Sequence, residues 1–211
     1  LNVTSVLYVV QRMTSLSTLF MLAGLVMFVR YRLRMAAGQG GTLPALAGLA
    51  GFGLLSLLAK ETGALIVLYA AVIELTLFRD GTQTGGRRAM NRWLALTVVL
   101  PAVAGLLFML TNPGWLPGTY ASREFDIAER VLTEARVLWF YLGLLFLPRF
   151  SEYGLYHDDV AISTGLLAPP TTALALLGLA ALAALALARR RQWPWFAFGV
   201  LWFLAGHVLE S

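Results

Sequence analysis

Apolar runs long enough to be membrane helices alternate with short polar or arginine-rich segments along the whole chain. A bilayer core about 30 Å thick is crossed by about 20 mostly apolar helical residues. The pattern therefore predicts an all-α, polytopic transmembrane helical bundle. Spans are expected at about 14–30, 44–60, 62–78, 93–111, 171–188 and 193–209, about six crossings, with a loop region over 112–170. The run from Pro44 to Phe78 would be about 50 Å long as one helix, too long for a single crossing. The break falls at Lys60-Glu61-Thr62-Gly63, where Gly63 can loosen the turn, and two short antiparallel spans result.

Composition agrees with the pattern. Of 211 residues, 59% are hydrophobic and 13% charged, against about 45–50% and about 25% in soluble domains. Cysteine is absent, which excludes disulfides and thiolate metal sites. The net charge of +5 comes from arginines beside apolar runs, which points to membrane orientation and away from nucleic acid as a partner. The chain opens on Leu1 and closes on Ser211 just after an apolar helix, so residues 1–211 are expected to form a partial transmembrane domain.

Arginine-bearing loops stay cytoplasmic. Arg30, Arg32 and Arg34 close the first span, and Arg79, Arg87, Arg88 and Arg92 occupy the loop before the fourth. That places the Lys60 turn and the region 112–170 on the extracytoplasmic side. If Val137–Pro148 crossed the membrane, Arg189, Arg190 and Arg191 would be carried outward, against the same rule. The segment 137–148 is accordingly expected to be a re-entrant or interfacial helix, preceded by an amphipathic stretch from Phe125. The last span begins at interfacial Trp193 and Trp195.

With this topology Arg12, Lys60, Glu61, Arg136, His157, Asp158, Asp159, His207 and Glu210 all fall at or near the extracytoplasmic face, while the cytoplasmic face holds little besides arginine. Charges at membrane depth cost a few kcal/mol each and tend to be paired, to face a wet cavity and to serve function. The bland reading of Lys60-Glu61 is a solvated turn, since adjacent helical residues do not face each other. His157 with Asp158 and Asp159 lacks a convincing ligand spacing, so no metal site is assigned there. No cofactor is predicted, and a divalent metal is left open.

Three stretches, NVTSVLYVVQRMTSLSTLFMLAGLVMFVRYR, LLSLLAKETGALIVLYAAVIELTLFR and FGVLWFLAGHVLES, together resemble the polytopic GT-C glycosyltransferases. The likeness is strongest to the transmembrane and tetratricopeptide-repeat-containing protein O-mannosyltransferases and their bacterial relatives. The resemblance implies a GT-C-like fold and transfer of a sugar from a polyprenyl-phosphate donor to an extracytoplasmic protein or glycan acceptor, with membrane lipid as a further partner. For a bacterial relative it implies the inner membrane, with the active side facing the periplasm. The catalytic acidic residue of such enzymes would lie before Leu1, so no catalytic residue is named.

A departing lipid phosphate is best stabilised by prearranged cations in a low-dielectric site. Arg12 and Lys60 are accordingly expected to line the donor-phosphate end of a cavity. Glu61 would hold Lys60 or touch the acceptor, and His207 with Glu210 would form the rim. Arg136, His157 and Asp158 are weaker candidates. The alternative is a polytopic transporter or flippase for a lipid-linked or anionic substrate, which would be expected to place ionisable groups near mid-membrane and to show matched broken helices.

Overall fold

A computed structural model describes residues 9–78, 85–112, 125–147 and 161–210. These residues are helical almost throughout: α1 (Val9–Ala36), α2 (Thr42–Ala59), a 3-10 turn (Glu61–Leu65), α3 (Ile66–Thr76), α4 (Gly85–Thr111), α5 (Ile127–Phe146), α6 (Thr171–Arg189) and α7 (Pro194–Glu210). No strand occurs among them. Among the described residues, four helical segments are long and apolar enough to cross a membrane, namely Arg12–Ala36, Thr42–Ala59, Met90–Thr111 and Thr171–Arg189. The chain is a helical protein of membrane type. Leucines at 19, 58, 100, 110, 145 and 174 stand exposed on the helix faces, as lipid-facing residues do.

The chain divides into two compact units, one of residues 1–103 with 186–211 and one of residues 104–185. In the first, α1 and α2 form an antiparallel pair joined by a short turn in which Gly38, Gly40 and Gly41 adopt positive φ of 74°, 74° and 124°. Only glycine adopts such angles at little cost. Small residues let the two helices approach closely, the usual device where water cannot drive helix association. A Cβ on Gly48 would lie 2.7 Å from Met27 Sδ, and one on Gly24 would lie 2.9 Å from Phe52 Cβ. Phe28, Leu49, Ile66 and Met90 are the largest apolar side chains sealed in this core.

The chain breaks at Lys60, whose φ of −161° and ψ of 148° leave the helical region. Gly63 is required here for clearance, and positive φ plays no part. A Cβ at this position would sit 2.3 Å from the Ser56 carbonyl carbon and 2.4 Å from Leu57 N. The 3-10 turn can therefore fold flat against the end of α2. α3 then runs back along the pair, and α7 packs on α3 and on the 3-10 turn.

Several bounds differ from the sequence expectation. α1 continues to Ala36, so Arg30, Arg32 and Arg34 are helical and do not belong to a loop. In place of one span over 62–78 there is the 3-10 turn followed by an 11-residue helix, about 16 Å long. The amphipathic stretch from Phe125 and the segment 137–148 are largely one helix, α5. A capping box starts it: Glu129 N donates to Asp126 Oδ1 at 2.7 Å, and Asp126 N donates to Glu129 Oε2 at 2.9 Å.

Candidate functional site

Two hydrogen-bonded contacts fix the register of the first unit. At one end, Ser56 Oγ donates to Ser17 O at 2.7 Å, and the two hydroxyl oxygens are 2.9 Å apart. Since the Ser56 proton goes to the carbonyl, Ser17 Oγ donates to Ser56 Oγ. At the other end Arg32 of α1 meets Glu74 of α3. Arg12 precedes Ser17 and Lys60 follows Ser56 in an antiparallel pair, so both extend past the serines toward the same end. Glu61, the first residue of the 3-10 turn, lies at that end and is exposed; Lys60 is half-buried.

α7 brings His207 toward the same region. Tyr69 of α3 stacks on Trp202 with ring centroids 4.1 Å apart. One turn on, a Cβ at Gly206 would lie 2.9 Å from the Tyr69 hydroxyl oxygen, so the missing side chain admits the tyrosine. His207 Nδ1 is 2.8 Å from Phe203 O, and the two rings are 4.4 Å apart. A carbonyl only accepts, so Nδ1 carries the proton in this contact. Glu210 is the last residue of α7. His157 and Asp158 lie outside the described residues.

The sequence expectation missed the most buried charges among the described residues of the first unit. Arg32 Nε donates to Glu74 Oε2 at 2.7 Å and Nη2 donates to Oε1 at 2.8 Å, with the two side chains 4% and 5% exposed. The Arg32 guanidinium carbon lies 4.9 Å from the centroid of the Phe78 ring. A bidentate, desolvated pair of this kind is geometrically specific. It also corrects the expectation that the arginine end holds little besides arginine. The available signal was Glu74 itself, the one acidic residue in the apolar run 62–78.

Arg136 belongs to the second unit. Its Nη1 donates to Ala161 O at 2.7 Å and to Ser163 Oγ at 3.3 Å. Ser163, fully buried, also accepts from Thr172 Oγ1 at 2.9 Å, and its N–H donates to Thr133 Oγ1 at 2.9 Å. The arginine thus ties α5 to the segment that leads into α6. Beside it lies a cavity of about 520 Å³ lined by Arg136, Val137, Trp139, Phe140, Thr171, Leu174 and Ala175. Among the described residues, no three of His, Cys, Asp and Glu gather closely enough to hold a metal ion.

No family model, curated protein or solved structure matches the chain.

Proposed function

We propose that the chain is part of an integral membrane glycosyltransferase of the GT-C kind, moving a sugar from a polyprenyl-phosphate donor to an acceptor outside the cytoplasm. The observation that carries this reading is the placement of Arg12, Lys60, Glu61 and His207 toward one end of the first unit, with the arginine-bearing C-terminal end of α1 at the other. By the positive-inside rule that end faces away from the cytosol, in a bacterium toward the periplasm. The sequence resemblance supplies the reaction class. About six crossings fit if the 3-10 turn with α3, and α7, act as short spans beside the four longer helices.

In this reading Arg12 and Lys60 hold the phosphate as the sugar leaves. Negative charge grows on the leaving oxygen, and cations already in place stabilise it without reorganisation. Glu61 positions Lys60 or meets the acceptor, and His207 with Glu210 stands at the rim. The test is transfer from a panel of polyprenyl-phosphate sugars by the full-length protein in membranes, with Lys60→Met alongside. The expected result is a sharp fall in transfer at unchanged expression. Undiminished turnover would remove Lys60 from the site.

The buried Arg32–Glu74 pair favours a second reading, since transporters also bury ion pairs between helices. A transporter or flippase would move a lipid-linked or anionic substrate across proteoliposomes without consuming it. A transferase would leave free polyprenyl phosphate behind.

A further inference from the structure

Arg136 has a property that neither reading of the first unit uses. Both N–H bonds of Nη1 are engaged, one by Ala161 O and one by Ser163 Oγ. Among the described residues, that leaves the Nε and Nη2 edge, the side of a guanidinium that grips two coplanar oxygens at once. The same protein shows what this edge does elsewhere: Arg32 holds the Glu74 carboxylate by Nε and Nη2 at 2.7 and 2.8 Å.

The anchor is built in advance. Ser163 is fully buried and fixed by Thr172 and by Thr133, whose hydroxyl in turn donates to Glu129 O at 2.7 Å. An arginine held this way loses little further side-chain freedom when it takes an anion. The walls are apolar. Trp139 is locked by Nε1 donating to Ala175 O at 2.9 Å, and Gly178 makes room for its ring, since a Cβ there would lie 2.8 Å from Trp139 Cζ2. Phe140, Val137 and Leu174, with Thr171 as a further polar residue, complete the lining. Its volume of about 520 Å³ falls within the range of about 300–1,000 Å³ usual for small-molecule sites, which combine apolar walls with a few placed polar groups.

We propose that this cavity binds a single-chain amphiphile with an oxyanion head, a phosphate or a carboxylate, taken from the membrane. The head sits on the Nε and Nη2 edge of Arg136 and the chain lies against Trp139, Phe140 and Leu174. The site stands on the second unit alone and is independent of the transferase reading.

The test uses the intact protein in phosphatidylcholine nanodiscs, photolabelled with a diazirine-bearing dodecyl phosphate and, in parallel, with the matching dodecanol. Labelled peptides are mapped by mass spectrometry. The expected result is at least fivefold more labelling by the phosphate probe on the peptides holding Trp139 and Leu174. Lysophosphatidate or dodecanoate should compete, and glycerol 3-phosphate should not. Arg136→Gln should lower labelling about tenfold. Because Arg136 also anchors Ala161 and Ser163, Leu174→Trp serves as the second variant. It fills the cavity, leaves the guanidinium in place and should abolish labelling. Equal labelling by the alcohol, full labelling of Leu174→Trp, or competition by glycerol 3-phosphate as strong as by lysophosphatidate would overturn the proposal.

Discussion

Arg32 and Glu74, 42 residues apart in sequence, meet through two short hydrogen bonds with both side chains almost wholly buried. The contact pins α3 to α1 at the arginine end, and the aromatic ring of Phe78 lies close to the guanidinium. Desolvating two ions is costly, and their mutual attraction offsets the cost only while both are present. Removing one partner is the severe change.

The consequence is measurable as stability. Arg32→Met or Glu74→Gln alone should destabilise the protein by about 3–5 kcal/mol, because an uncompensated buried group is left behind. Replacing both by Met should restore most of the loss. Denaturant unfolding of the purified protein in mild detergent checks this. Single variants within about 1 kcal/mol of the parent would show that the pair is solvated and has little structural weight.

The serine pair at the other end predicts a smaller effect. Ser17 and Ser56 are both buried and exchange hydrogen bonds between α1 and α2. Interhelical bonds of this type average about 0.6 kcal/mol in membrane proteins. Ser56→Ala should cost about 1 kcal/mol, and a double-mutant cycle with Ser17→Ala should show coupling. Strictly additive variants would mean that the contact carries no energy of its own.

Gly63 and Gly51 make a matched comparison. Ala at Gly63 must push into the backbone of Ser56 and Leu57, whereas nothing lies within 4 Å of a Cβ at Gly51. Gly63→Ala should cost about 1–3 kcal/mol through forced displacement. Gly51→Ala in the middle of α2 should be neutral or stabilising by up to about 1 kcal/mol. Thermal unfolding of the two variants side by side checks the sign of each.

The sequence made the helical character and the break at Lys60 legible, because a long apolar run cannot cross a membrane as one straight helix and the polar residues mark where it yields. It did not reveal why Gly63 is needed. Glycine in a turn suggests freedom of φ, and the actual requirement, backbone clearance, exists only once the 3-10 turn folds onto α2. Arg32 was legible as an anchor of orientation but not as the partner of Glu74, since a pairing between helices leaves no periodic trace in either segment. The hydroxyl network beneath Arg136 joins Thr133, Ser163 and Thr172 from separated parts of the chain. Scattered small polar residues of that kind carry no spacing signal at all.

The functional reading rests on the Lys60 turn and the arginine-bearing C-terminal end of α1 lying on opposite sides of a membrane. Residues 1–211 contain no cysteine, so single cysteines at Lys60 and at Gln39, which is exposed in the turn between α1 and α2, report to a membrane-impermeant maleimide against a parent carrying neither. Position 60 should react from outside intact cells or spheroplasts and position 39 only after permeabilisation. Reaction of position 60 from the cytosolic side alone, or of both positions from one side, would contradict the functional reading.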